Sequence, residues 1–418
     1  MSAEQRDSVL AAPELGRSAA EAWVATHLTG LYEGAPVGSQ RFRGGQAAAD
    51  SALAAYDVSG YAGRRNEVAP VSKRGASALS PYIRHGLIDL PTAWQHVAGG
   101  PARDVRKFRD ELLWQEFARH WYARLGRGTR RGLRRELKRP EPMELSVDVW
   151  DRSMVCFDET IGELTADGWL VNQTRMWLAS HWTVRNGRRW RDGENAFFQH
   201  LLDGSRAANR LGWQWTTGVG SSKHYGFSRW QVEKRAPGWC GRCTHRDDCP
   251  IEDWPDDPEY VPSERPEALR RGSSQPDLAG PSAPIVHGDP DAVWLTAESL
   301  GIDDPAAAAH PGLPLVFVFD EPLLRSLQLS AKRLVFLVET LAELAGARPL
   351  ELYRGRPDEV LGGRRLAVTH APVPGFDRLR QPIEPVAVYP WRWLVEPHDG
   401  NVSSFSAWRK AGRLNVLS

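Results

Sequence analysis

The sequence predicts α plus α/β: a large all-helical body followed by a small unit built on a parallel sheet. Three observations carry this. Apolar and aromatic residues recur at three- and four-residue spacing through about residue 255, and strand-like alternation is scarce there. From 256 to 287 the composition shifts to Pro, Ser, Gly and charge, a linker signature. Beyond it, short β-branched runs alternate with helical ones, as parallel sheets require. The organisation is therefore read as 1–255, a linker at 256–287, and 288–418.

In the first stretch the spacing predicts helices over Arg103–Leu125 and Leu164–Val184. In the last it predicts strands over Val293–Leu295 and Leu315–Phe319, then a helix over Leu329–Ala345. Further strands are predicted over Leu350–Tyr353, Leu366–Thr369 and Val386–Tyr389. No internal repeat is visible.

The 418 residues are 41% hydrophobic and 25% charged, ordinary globular values. Net charge is +1, so nucleic-acid binding would need a local patch. Arg119–Arg139 is the one strongly basic stretch, with nine Lys/Arg against one Glu. Most such runs are solvated faces; a phosphate-binding edge is the sharper reading. Fourteen of the 18 Trp precede Tyr260, so they belong to the helical body. No apolar run reaches the ~18–20 residues of a membrane span. The first residues lack a basic and apolar leader, so a cytoplasmic protein is expected. Four cysteines do not make a disulfide framework in a chain this long; clustered, they point to metal.

Asp203–Trp215 reads DGSRAANRLGWQW. Alone, it is a helix end with two core aromatics. It nevertheless resembles the flavin-contacting segment of the photolyase/cryptochrome family, DG-x-x-AAN-x-x-GWQW. The resemblance implies FAD as cofactor, with Asn209 facing N5, Asp203 meeting the ring, and Trp213 passing an electron to the excited flavin. An amide suits N5 because it can donate or accept. A carboxylate near the ring can hold an Arg and tune the flavin.

Other segments agree in order. GASALSPYIRHG at Gly75–Gly86 resembles the loop that holds the FAD phosphates at a helix start. Ser77, Leu79 and Ser80 match; Ala76 and Ala78 replace Thr and Arg. Tyr61, with Arg65 and Asn66, resembles the residues before that loop. RDELLWQEFARHW at Arg109–Trp121 resembles REL-x-WREFY, so Glu111 and Trp114 would meet the lesion; Gln115 and Ala118 depart from the pattern. GWLVNQTRMWLAS at Gly168–Ser180 places Arg175 beside Asp203, with Asn172 and Met176 at the lesion; Val171 and Gln173 replace His and Arg. RRWRDGENAFF places Trp190 as the second electron-transfer Trp, and Trp215 joins the lesion pocket. Trp150, Trp177 and Trp182 are all open for the third electron-transfer position.

Cys240, Cys243 and Cys249 cluster, and Cys156 lies far upstream. Three grouped thiolates plus one distant one suit an iron–sulfur cluster. The arrangement resembles the bacterial branch of the family that carries [4Fe–4S], although the five-residue gap before Cys249 is short for it. Zinc is the alternative, with Cys156 or His245 as fourth ligand.

The last stretch resembles the family's antenna domain, which there precedes the FAD domain. AVWLTAESLGIDDPAA, LPLVFVFDEPLL and LELYRGRPDEVL follow that domain's order, so the chain reads as circularly permuted. The family's opening Arg is absent from Thr296–Ser299, which leaves a bound antenna chromophore open. Two functions follow from the resemblance. One is light-driven repair of a pyrimidine dimer flipped out of damaged DNA, by an electron from reduced flavin. The other is a cryptochrome-like blue-light photoreceptor with a signalling partner protein and no repair.

Overall fold

The computed structural model describes residues 9–141, 150–270 and 276–414. The helical body is built around α1, Ala102–Leu125, whose last three turns are buried almost all round. Around it stand α2 (Val155–Asp167), α3 (Asn172–Ala179), α4 (Trp190–His200) and α5 (Arg206–Thr216). The single helix expected over Leu164–Val184 is instead two. Gly168 takes a left-handed conformation (φ 67°) that ends α2, as glycine does at little steric cost. The chain re-enters helix at Asn172 and finishes in a π-helical turn over Ser180–Arg185.

A seven-stranded sheet forms the second layer. Its strands are β1 (Val9–Leu10), β2 (Ile285–Val286), β3 (Ala292–Leu295), β4 (Leu315–Asp320), β5 (Leu350–Gly355), β6 (Leu366–Thr369) and β7 (Ala387–Tyr389). The spatial order is β1-β5-β4-β3-β6-β7-β2. The interior pairs are parallel, and β1 and β2 close the two edges antiparallel. β3 and β4 are buried on both faces, which explains their unbroken apolar runs. The expected helix near Leu329 starts two residues later as α6, Ala331–Ala347.

Three connections depart from the plain division of the chain. β1 comes from the first residues described, yet it edges the C-terminal sheet against β5. Part of 256–287 is structured: Tyr260–Pro262 pairs with Arg135–Leu137, and Leu269 is buried. Finally, the chain after β7 returns to the helical body and ends in α7, Phe405–Ala411, whose Trp408 packs on α1. One continuous apolar core runs from Phe117 and Trp121 of α1 to Val293 of β3 and Leu334 of α6. No described helix is long and apolar enough to cross a membrane.

Candidate flavin site and its surroundings

α5 begins where Ser205 caps it, its hydroxyl accepting from the Ala208 N–H. That cap fixes the DG turn before the helix and the AAN face within it. Arg175 Nη2 donates to Asp203 Oδ2 at 2.7 Å, and Arg175 Nε donates to the Leu170 carbonyl at 3.0 Å. Asp203 Oδ1 is buried with no protein partner. A buried carboxylate oxygen left so is costly unless something else occupies it.

Asn209 Nδ2 donates to the Glu194 carbonyl (2.9 Å) and to Glu194 Oε1 (3.2 Å). Its amide is thereby oriented. Glu194 is fully buried among Arg206 (2.9 Å), Arg210 (3.7 Å) and Arg191 (3.9 Å). Burial pulls the Arg210 guanidinium down to about 10, with the Glu194 charge opposing that shift. Glu194 lies within a segment already read for Trp190, but no local signal singled it out as the holder of Asn209.

Trp213 is buried, and its ring lies so close to Gly193 that a Cβ there would come within 2.2 Å. Trp190, also buried, donates from Nε1 to Glu136 Oε2 at 3.3 Å. The three open tryptophans separate. Trp150 packs against Trp182 (centroids 5.0 Å apart) and against Phe197, which packs on Trp213. Trp177 stacks instead on Phe227.

The loop expected to hold phosphates is tightly tied. Ser77 Oγ accepts from Leu79 N–H at 3.4 Å, and Ser80 Oγ accepts from Trp169 Nε1 at 2.9 Å. Between them Ala78 sits at φ 56°, a rare conformation for a residue with a Cβ. Leu79 is buried. Tyr61 is buried against Phe108, and burial pushes its phenol well above the usual range.

The residues expected at a lesion are dispersed in their contacts. Glu111 pairs with Lys107 (2.7 Å) and Arg65 (3.4 Å). The Trp114 ring is stacked flat on Phe405 of α7, with centroids 4.1 Å apart and planes 5° from parallel. Asn172 is exposed, its Nδ2 3.5 Å from Met176 Sδ. Trp215 is 44% exposed at the end of α5. Gln173 points inward and donates to Tyr225 Oη at 2.7 Å, so an Arg at this position would enter the core. The basic stretch is not one solvated face. Arg119 and Arg124 are buried, Arg119 over the Trp391 ring and Arg124 on the carbonyls of Ala268 and Gly400. Arg127, Arg130, Arg131 and Arg134 are exposed.

All four cysteines line one small recess, together with Arg229 and His245. Cys156 comes from α2, Cys240 opens a 3₁₀ turn, and Cys243 directly follows that turn. None is in a disulfide. Burial pushes the Cys156 thiol up, and the other three cysteines add to the shift. Among the described residues, no three His, Cys, Asp or Glu stand close enough to hold a single metal ion.

A second, larger cleft opens at the carboxyl ends of β3 and β6. The strand order reverses there, the usual place for a ligand in an open parallel sheet. Its walls include Glu298, Asp304, Arg119, Trp391 and Arg392. Burial raises the Asp304 carboxyl to about 6. No pattern in the sequence marks Trp391 for this position.

Residues 108–236 match the family model described as the FAD binding domain of DNA photolyase. The deoxyribodipyrimidine photo-lyase of Synechococcus is 32% identical over 185 residues, covering 41% of this chain and 36% of that protein. A Thermus thermophilus enzyme of the same name is 31% identical over 166 residues, covering 35% of this chain and 36% of its own length. The match thus spans about a third of these relatives. Among solved structures, a bacterial class III photolyase from Agrobacterium tumefaciens is 25% identical, with a TM-score of 0.40, over 48% of this chain and 44% of that one.

Proposed function

We propose that this chain is an FAD-dependent, photolyase-like protein acting on pyrimidine dimers in damaged DNA. The observation that carries the reading is the Arg175–Asp203 pair, with Asp203 Oδ1 buried and open beside a capped helix that presents Asn209. These residues fit a flavin, whose ring edge offers donors and acceptors to such groups. Bound flavin would supply one-electron chemistry driven by light. The chain's own residues would do the rest. Arg175 holds Asp203 in place, and Glu194 holds the Asn209 amide. Trp213 and Trp190 are buried, oxidisable indoles. An indole that loses an electron becomes acidic at Nε1–H, and Glu136 stands ready to take that proton from Trp190. Tyr61, Ser77, Leu79 and Ser80 would border the phosphate end. Glu111, Trp114, Asn172, Met176 and Trp215 would hold the lesion.

A photoreceptor with a signalling partner is the second reading, favoured by one observation: Trp114 already has a ring stacked on it. The four cysteines would hold a [4Fe–4S] cluster, supported by the one recess that all four line and by its basic walls; iron and zinc analysis of the purified protein tests this. The cleft at the carboxyl ends of β3 and β6 would take an antenna chromophore, and its place in the sheet supports the permuted order of a body at 1–255, a connector at 256–287 and an antenna-like unit at 288–418. The absorbance spectrum of purified protein tests the cofactors together. Illuminating reduced protein on dimer-containing DNA then separates the functions: dimer loss supports repair, and photoreduction without dimer loss supports the photoreceptor.

A further inference from the structure

Phe405 is placed with unusual care for a residue so near the end of the chain. Its ring lies 4.1 Å from that of Trp114 and 5° from parallel, the geometry of an unpaired base on an indole. Phe117 meets both rings edge-on, at 5.8 Å each, so the pair sits in a shaped slot. Ser404 caps α7 through the Ala407 N–H. Trp408, one turn on, is fully buried against Phe117 and His120 and roots the helix. Arg409 donates to Asp110 of α1 at 2.6 Å and draws α7 down on the same face. Glu116 Oε1 accepts from the backbone N–H groups of Leu394 and Val395, which fixes the start of the returning segment. The root is thus buried, whereas Phe405 is only half-buried at the rim.

We propose that Phe405 stands in for a nucleobase on Trp114, so that an unpaired base of DNA engages Trp114 only when the Phe405 ring moves aside. This rests on the reading of Trp114 as a base-stacking residue. The ligand class follows from the geometry, since a flat aromatic face replaces a flat aromatic face and Trp408 keeps the helix anchored during the exchange. Phe405 then decides which bases gain entry, by the stacking they offer against its own.

The test uses the full chain and a fluorescent single-stranded oligonucleotide containing one thymine dimer, read by anisotropy. Phe405→Ala should bind at least tenfold more tightly than wild type. Adding Trp114→Ala to that variant should remove the gain. Arg409→Glu, an exposed change, should give a smaller gain and carries the test if Phe405→Ala fails to fold. Unchanged affinity in folded Phe405→Ala, or in Arg409→Glu standing in for it, overturns the proposal, as does a gain that survives loss of Trp114. Flavin absorbance reports separately on the function above. Protein without flavin that still shows the Trp114-dependent gain sinks that reading and keeps this one. Flavin-loaded protein whose DNA affinity ignores Phe405 does the reverse.

Discussion

The two sides of the helical body are built differently. On the flavin side, between α3, α4 and α5, each functional group is held by a neighbour close in sequence. Asn209 is held by Glu194 and Asp203 by Arg175. Along α1, Glu111 is met by Lys107 and Arg65, whereas the group that covers Trp114 comes from the far end of the chain. Arg409 meets Asp110 across 299 residues. The first side is a locally assembled, rigid constellation. The second is closed by a distant segment, and that is the side on which access can be varied.

The sharpest way to break the first side is Glu194→Gln. It leaves Arg191, Arg206 and Arg210 around an uncharged group in a dry site. Removing one partner of a buried charge cluster typically costs ~3–5 kcal/mol. Urea denaturation should show a loss of that order; a loss under ~1 kcal/mol would mean that solvent reaches the cluster.

Asp203→Asn comes next. It keeps the shape and removes the charge that Arg175 faces at 2.7 Å. Because the Arg175 side chain is 24% exposed, screening limits the stability cost to ~1–2 kcal/mol. The larger consequence is for the cofactor: the variant should purify with much less flavin, measured as the ratio of 450 nm to 280 nm absorbance. Wild-type flavin content would refute the role given to this carboxylate.

The second side has its own titrating group. Burial raises the Glu116 carboxyl to about 7, against Arg119 and the two backbone donors that pull it down. The folded state thus holds a proton that the unfolded chain releases at the ordinary value of 4.5. Its contribution to stability is full below pH 4.5 and is lost as pH rises to about 7. His120 titrates in the opposite sense, since burial drags it down to about 3. The difference between wild type and Glu116→Gln isolates the carboxyl. That difference should shift by a few kcal/mol between pH 4.5 and 7 and stay flat above. A flat difference throughout would mean that Glu116 is ionised at all these pH values.

What could be read in the sequence follows the same division. α1 was legible because 24 residues of helical periodicity are hard to mistake. β4 and β6 were legible as short β-branched runs. The break at Gly168 was missed because the apolar spacing runs on through it, and only the left-handed turn shows the stop. β1 is two residues long and gains its identity solely from pairing with β5. Trp114 carried a family-like signature, but its cover did not. α7 is seven residues with no pattern of its own, and Phe405 acquires meaning only by where Trp408 anchors it. Cys156 was grouped with the later cysteines by resemblance, and the recess that all four line comes from packing α2 against a distant turn.

The mildest prediction concerns the exposed cations that follow α1 and run past the end of α5. Arg131 and Arg134 are exposed, whereas Arg119 and Arg124 of the same run are buried and engaged. Charge that is solvated can neutralise phosphate; charge committed to carbonyls or rings cannot. Replacing Arg131 and Arg134 together by Ala should therefore weaken DNA binding uniformly, for damaged and undamaged strands alike. Each lost phosphate contact lowers the slope of log K against log salt by ~0.7 for a single strand, so the pair should lower it by about 1.4. Flavin content and folding should stay as in wild type, because neither side chain enters the core. An unchanged salt slope would show that these arginines face away from the strand. On the proposed reading, the attraction for DNA would then have to come from elsewhere on α1 or α5.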